Sequence, residues 1–215
     1  MERKRVLFYG DSNTHGYRVS DGLRYEKHER WTGICQEIVG ERIEILEEGL
    51  NGRTTCFDEA GMEFRNGLQY IQPCIRTHLP LDLVCLMLGS NDLKAVFQLT
   101  AEEIAFYGAQ VLAKARDVVL SKYPDSRCKY LLMSPIEVGP QLLDGPFSWE
   151  FEGRLTIEKS KHFARCFAAE AQKNGFLFFD AAKYAVAGKI DGLHLDGPNH
   201  RKLGEAVGKW LLENL

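Results

Sequence analysis

The chain has 215 residues, 45% of them hydrophobic, and a formal net charge of −3 at pH 7. This length suits one sizeable core, which predicts a single domain over residues 1–215, and the slight negative charge without a basic run argues against nucleic-acid binding. The apolar run behind the charged residues 2–5 is too short for a secretory signal, and no window reaches the ~18 apolar residues of a membrane span, so we expect a cytoplasmic protein without membrane association.

Apolar runs typical of buried strands alternate along the chain with helical patterns. In order, the prediction reads strand Val6–Tyr9, helix Arg30–Val39, strand Ile43–Leu46, helix Gly67–His78, strand Leu83–Leu88, a helix from about Thr100 to Leu120, strand Tyr130–Met133, helix Arg154–Lys173, strand Phe176–Phe179 and helix Asn199–Leu212. Local signals support several boundaries. Thr100 and Glu103 form a capping-box pattern, Gly175 is placed as a helix stop, and Asp196-Gly197-Pro198 is typical of a helix start.

This alternation predicts an α/β fold, because parallel strands joined by helices need the helices on both faces of the sheet. We expect a three-layer αβα sandwich with a five-stranded, mostly parallel sheet in the flavodoxin-like strand order 2-1-3-4-5. Ligands of such sheets bind outside the carboxyl ends of the strands. The residues that directly follow each strand are therefore the candidates for function.

Polar residues of distinct chemistry follow these strands. Gly10-Asp11-Ser12 comes after the first strand, Glu47–Thr55 after the second and Gly89-Ser90-Asn91-Asp92 after the third, while Asp191-Gly192-Leu193-His194 lies in a late loop. Each segment alone is weak evidence, because its residues are more often those of an ordinary turn. Together they contain a serine, a histidine that can act as its base and a carboxylate that can orient the histidine, which predicts a hydrolase active site.

These four segments resemble the motif blocks of the SGNH hydrolases, also called the GDSL esterase/lipase family. The segments Arg30–Gly33, Glu47–Leu50, Arg53–Thr55 and Leu79–Leu83 are similar to the bacterial arylesterase branch. The resemblance spans nearly the whole chain. It implies a serine esterase that hydrolyses short-chain acyl or aryl esters through an acyl-enzyme, with acyl transfer to alcohols or peroxide, acting on a small-molecule ester as a homo-oligomer.

The catalytic roles follow from the chemistry of acyl transfer. Ser12 is the predicted nucleophile, His194 the general base and Asp191 the residue that orients His194, although Asp191 could also serve as a turn residue. The resemblance implies an oxyanion hole made of the Ser12 backbone N–H, the Gly52 backbone N–H and the Asn91 side-chain amide. Gly49 is the alternative to Gly52.

Substrate contacts are predicted at His15, Trp149 and Phe151. His15 lies close to Ser12 in sequence and is the main rival of His194, or a wall of the pocket. The aromatic segment Gly145–Glu152 suits an acyl or alcohol pocket, a subunit contact, or a loop that covers its own small core. Two positions depart from the family pattern: Asn13 replaces the leucine of the name-giving motif, and His15 stands where some relatives carry a bulky aromatic.

No metal or cofactor is predicted. The six cysteines are scattered without a Cys-x-x-Cys pair, which indicates reduced thiols, and no His/carboxylate cluster has ligand spacing.

Two alternative functions stay open. A carbohydrate O-acetylesterase would use the same residues on a sugar ester. A flavodoxin-like small-molecule binding module would cradle a phosphate at Gly10–Gly16, but the chain has no Gly-x-x-x-x-Gly-Lys-Ser/Thr pattern to support it.

Overall fold

A computed structural model describes residues 3–215. In chain order its strands are β1 (Lys4–Gly10), β2 (Tyr17–Arg18), β3 (Leu23–Arg24), β4 (Ile43–Gly49), β5 (Leu83–Met87), β6 (Lys129–Ser134) and β7 (Leu177–Asp180). Five of them form one sheet in the order β4-β1-β5-β6-β7, and every neighbouring pair is parallel. The predicted sheet and its flavodoxin-like order are thus confirmed. The short strands β2 and β3 pair antiparallel as a separate ribbon.

Seven α-helices accompany the strands within residues 3–215. They are α1 (Ser12–His15), α2 (Trp31–Val39), α3 (Gly67–His78), α4 (Ala101–Lys122), α5 (Arg154–Ser160), α6 (Phe163–Asn174) and α7 (Gly197–Asn214). The predicted capping box opens α4, where Thr100 and Glu103 bond each other's backbone N–H groups. Gly175 ends α6 in the left-handed conformation at φ 68°. None of the helices in this part of the chain is both long and apolar enough to span a membrane.

The inner strands β1, β5 and β6 are buried on both faces, which explains their continuous apolar runs. Because successive side chains of a strand point to opposite faces, Val6 and Phe8 enter one core while Leu7 and Tyr9 enter the other. Helices α2 and α7 cover the first core, and α3, α4 and α6 cover the second. This arrangement is the predicted three-layer αβα sandwich.

The prediction of one continuous helix over Arg154–Lys173 is wrong, because this segment forms two helices, α5 and α6, separated at Lys161–His162. The buried Ser160 hydroxyl donates to the Ile157 carbonyl (2.7 Å) and accepts from the Val138 backbone N–H (2.9 Å). A serine that bonds back to its own helix competes with the regular helical ladder. The anchor to residue 138 is not visible in the helical pattern.

Candidate active site

Ser12 is the first residue of α1, which follows β1 directly and therefore stands at the carboxyl end of the sheet. Asp11 caps this short helix by accepting a hydrogen bond from the Asn13 backbone N–H (2.9 Å). A side chain at Gly10 would place its Cβ 2.0 Å from Oγ1 of Thr14, so the tight turn requires glycine. The turn presents the Ser12 side chain to a cavity, although the residue is only 8% exposed.

The loop after β7 brings His194 and Asp191 to this serine. His194 Nε2 lies 2.8 Å from Ser12 Oγ, and His194 Nδ1 lies 2.5 Å from Asp191 Oδ2. The other Asp191 oxygen accepts hydrogen bonds from the backbone N–H groups of Leu193 (2.9 Å) and His194 (3.0 Å). Asp191 thus forms the turn and contacts the imidazole at the same time, as the spacing allows.

The Asp191 carboxyl remains ionised in this environment. Its burial acts to raise the pKa, but hydrogen bonds and charge from His194 outweigh that effect and hold the pKa below its usual value. An ionised carboxylate beside Nδ1 favours the tautomer in which the proton is on Nδ1 and Nε2 faces the serine hydroxyl as an acceptor.

Asn13 connects the two segments that carry Ser12 and His194. Its Nδ2 donates to the Leu193 carbonyl (3.1 Å), its Oδ1 accepts from the Leu195 N–H (2.8 Å), and the side chain is buried. The Asn13 carbonyl also accepts from the Trp31 indole N–H (2.9 Å). The sequence pattern identified Asn13 only as a departure from a motif. The available signal was an amide side chain, able both to donate and to accept, directly after Ser12.

The loop after β4 carries the candidate oxyanion donors. Gly52 has a φ of 76°, which favours glycine, and its backbone N–H finds no protein acceptor among the described residues; the same is true of the Ser12 N–H. Asn91 Nδ2 donates to the Arg53 carbonyl (3.1 Å) and thereby fixes the amide next to this loop.

Buried Arg53 holds the loop against the end of β1. Its guanidinium donates to the carbonyls of Gly10 (2.9 Å) and Glu48 and stacks over the Tyr9 ring, 4.1 Å from the centroid. An arginine can make these contacts together because its donors are planar and its charge is weakly hydrated.

Asp92 braces the same loop from the other side. It accepts hydrogen bonds from the Thr55 backbone N–H (3.0 Å) and hydroxyl (2.6 Å) and is fully buried. Burial raises the pKa of Asp92 to about 6, and burial likewise raises the pKa of Asp11 to about 6. These two carboxyl groups support the turns around the site.

The candidate groups meet in one cavity of about 210 Å³. Its walls come from the carboxyl ends of the strands and from the loops that follow them. The lining residues are Ser12, Tyr17, Asn51, Gly52, Met62, Arg65, Asn91, Lys94, Phe147, Glu150, Phe151, Leu193 and His194.

Two predicted substrate contacts do not line this cavity. The His15 side chain lies at the end of α1 in the field of Arg24 and Arg30, where burial and those charges lower its pKa. Trp149 is 79% exposed. Phe151 does line the cavity, and Phe147 and Tyr17 flank the His194 ring at centroid distances of 5.7 and 4.9 Å. Neither His15 nor Trp149 lines this cavity, so contact of either residue with a substrate stays a prediction.

Lys94 is a residue that sequence reasoning missed. Its buried ammonium lies 2.8 Å from a Glu59 carboxylate oxygen and 2.6 Å from a Glu150 carboxylate oxygen. It thereby links the loop 56–64 to the aromatic segment 145–152 across the cavity wall. Its partners are far away in sequence, so no local pattern indicates them.

One group of potential metal ligands occurs within residues 3–215. Glu48, Cys74 and His78 place their donor atoms within 4.8 Å of one another, outside the cavity. His78 Nε2 lies 2.7 Å from a Glu48 carboxylate oxygen, and burial raises the pKa of the Cys74 thiol to about 12. The Glu48–His78 contact accounts for the geometry of these two side chains.

Comparison with known proteins points to one family. A model of the GDSL-like lipase/acylhydrolase family matches residues 8–202. The native aryl esterase of M. smegmatis shares 35% identity over 99% of this chain and 100% of its own, with a TM-score of 0.90. The carbohydrate acetylesterase Est24 of Sinorhizobium meliloti shares 32% identity over 99% and 100% of the two chains, with a TM-score of 0.91. Curated protein sequences contain no match to this chain.

Proposed function

Because this chain belongs to the GDSL-like lipase/acylhydrolase family, the SGNH hydrolases, and is a carboxylic ester hydrolase, we propose that it cleaves short acyl esters through an acyl-enzyme on Ser12. The observation that carries the proposal is the continuous contact from Ser12 Oγ through the His194 ring to Asp191, at 2.8 and 2.5 Å. These distances suit the transfer of a proton from the hydroxyl to the imidazole.

In the first half-reaction, Ser12 Oγ attacks the ester carbonyl carbon while its proton passes to His194 Nε2. The tetrahedral intermediate expels the alkoxide, which takes that proton from His194 and leaves as the alcohol. The acyl group stays on Ser12 as an ester. In the second half-reaction water attacks the acyl carbon while its proton passes to His194, and Ser12 Oγ then leaves, takes that proton from His194 and releases the acid. Asp191 stabilises the imidazolium that forms in each step.

The developing oxyanion would be held by the N–H groups of Ser12 and Gly52 and by the Asn91 amide. The backbone N–H groups of Ser12 and Gly52 bond to no protein acceptor among the described residues. Asn91 uses one of its two side-chain N–H groups on the Arg53 carbonyl, which leaves the other available to the oxyanion. Donors already in position stabilise the transition state without reorganisation. Arg53 and Asp92 would act as positioning residues that keep the loop rigid.

Short acyl chains are favoured because the cavity is small, about 210 Å³, and part of its wall is aromatic. Transfer of the acyl group to an alcohol or peroxide in place of water would use the same acyl-enzyme. The choice of acceptor would depend on how well the walls, including Phe147 and Phe151, exclude water.

A carbohydrate O-acetylesterase is the second candidate. It is favoured by the similarity to Est24 and to a second Sinorhizobium meliloti structure described as a carbohydrate acetylesterase family member, at 30% identity and a TM-score of 0.86. A sugar acetate would pass through the same acetyl-enzyme. The two candidates therefore differ only in the alcohol that leaves.

We also propose that the protein forms a homo-oligomer. Phe64, Val96 and Trp149 are 89%, 67% and 79% exposed and lie within two residues of cavity-lining residues in sequence. Large exposed apolar side chains that form one patch are typical of a protein–protein contact. A subunit interface there would bury them and narrow the entrance.

The test is the turnover of p-nitrophenyl esters from acetate to decanoate, with wild type beside Ser12→Ala. We expect the highest kcat/KM for acetate to butyrate and loss of turnover in the variant. Acetylated xylose, assayed in parallel, separates the two candidates. Turnover that is undiminished in Ser12→Ala would overturn the proposal.

A further inference from the structure

Among the acidic and basic side chains that line the active-site cavity, all but one lie beside a partner of opposite charge within the described residues. Lys94 is bonded to both Glu59 and Glu150, and His194 is bonded to Asp191. Arg65 is the exception, because no carboxylate within residues 3–215 lies within 4.0 Å of its guanidinium. The one hydrogen-bond acceptor that its guanidinium reaches within the described residues is the thioether of Met62, 2.7 Å from Nη1, which is a weak acceptor.

The Arg65 guanidinium lies against the loop after β4 that carries Gly52, one of the candidate oxyanion donors. The Arg65 carbonyl accepts from the Thr54 backbone N–H (3.0 Å), which fixes the segment that carries the side chain. A Cβ at Gly52 would lie 2.6 Å from Nη1 of Arg65, so the side chain packs directly over the Gly52 backbone. Arg65 therefore occupies the side of the cavity where the acyl carbonyl oxygen would bind.

The proposed reaction assigns the two halves of the substrate to different walls. His194 must reach the leaving oxygen to protonate it, so the alcohol lies on the side of His194 and its aromatic neighbours Tyr17 and Phe147. The carbonyl oxygen points to Gly52 and Asn91. The acyl chain is attached to the same carbon, so a short chain would run beside Gly52 towards the Arg65 guanidinium, which packs over that glycine.

We propose that Arg65 selects esters whose acyl group carries a carboxylate, that is, half-esters of short dicarboxylic acids. The inference rests on the proposed esterase function and names its substrate class. A guanidinium presents parallel donors that match a carboxylate in a bidentate pair, which a thioether cannot replace. The two carboxylates of Glu59 and Glu150 outweigh the single positive charge of Lys94, which leaves one net negative charge at that wall. A substrate carboxylate is therefore stabilised only if it reaches Arg65.

The test compares monoethyl succinate with ethyl levulinate, a neutral analogue in which a methyl group replaces one carboxylate oxygen. Release of ethanol gives kcat/KM for each ester, and their ratio cancels effects common to both. We expect the wild type to prefer the succinate by roughly 10-fold to 100-fold, since charge-assisted hydrogen bonds contribute in this range. In Arg65→Met the ratio should fall to about 1 or below, and Arg65→Lys should restore part of it.

Arg76→Met is the matched control, because it removes the same charge from an exposed arginine of α3 outside the cavity. Its ratio should equal that of the wild type. Equal losses of kcat/KM on both esters in Arg65→Met would assign Arg65 to oxyanion binding or to stability, and would overturn the inference. A wild type that shows no preference between the two esters would overturn it as well, without any variant. Absence of turnover on p-nitrophenyl acetate in the wild type would instead remove the proposed esterase function itself.

Discussion

Replacing Asn13 by leucine should loosen the contact between the turn that carries Ser12 and the loop that carries His194. The two side chains are similar in size, so the substitution removes the hydrogen bonds to Leu193 and Leu195 without opening a large cavity. Both partners are buried backbone groups and would be left unsatisfied. At about 1–3 kcal/mol for each group, the free energy of unfolding should fall by roughly 2–6 kcal/mol.

The kinetic effect should accompany the loss of stability. His194 must stay within hydrogen-bond distance of Ser12, and a misplacement of about 1 Å can reduce a rate roughly 10²-fold. We therefore expect kcat for p-nitrophenyl acetate to fall by up to roughly 10²-fold in the fraction that remains folded. Urea unfolding and steady-state kinetics on the same preparation measure both effects.

Asn214→Leu is the matched control for this experiment. Asn214 is exposed and its side chain makes one hydrogen bond, from Nδ2 to the Trp210 carbonyl (2.8 Å), while its backbone carbonyl accepts from Lys129 Nζ (2.6 Å) in a contact that the substitution leaves in place. Its loss should change stability by less than about 0.5 kcal/mol and leave kcat unaltered. If Asn13→Leu matched the wild type in both stability and kcat, the reasoning about the Asn13 contacts would be refuted.

Three further predictions concern Asn91, Asp92 and Trp149. Asn91→Ala should lower kcat by ~10²–10³-fold, equal to about 2.7–4 kcal/mol, with a smaller change in KM, and an unaltered kcat would remove Asn91 from the oxyanion hole. The raised pKa of Asp92, about 6, means that the folded state binds its proton more tightly than the unfolded chain does. The free energy of unfolding of the wild type, measured by urea titration, should thus fall by roughly 3 kcal/mol relative to that of Asp92→Asn as the pH rises from about 4 to 7. A difference between the two proteins that stays constant with pH would contradict this. Trp149→Lys should reduce the molar mass measured by light scattering after size-exclusion chromatography, and a wild-type monomer would refute the proposed oligomer.

Much of the fold could be predicted because its signals are local. The apolar runs of β1 and β5 indicate strands buried on both faces, and the Thr100–Glu103 capping box marks the start of α4. The order of the sheet follows from right-handed crossovers between parallel strands. The break at Ser160 could not be predicted, because it depends on a bond to Val138 that the chain makes only when folded.

The candidate site shows the same division. Ser12, Asp191 and His194 were identified by residue type and position, and the structure brings His194 within hydrogen-bond distance of both Ser12 and Asp191. The substrate contacts were less accessible, because nearness in sequence to Ser12 says nothing about where the His15 ring points. Lys94 and Arg65 depend on loops that meet only in three dimensions, so their place in the cavity wall required the structure.

The most direct test of the nucleophile is the intact mass of the protein after treatment with diethyl p-nitrophenyl phosphate, followed by peptide mapping. We predict one diethylphosphoryl adduct, located on Ser12, formed in step with the loss of esterase turnover and absent from Ser12→Ala. An adduct on another residue, or full loss of turnover without any adduct, would contradict an acyl-enzyme at Ser12.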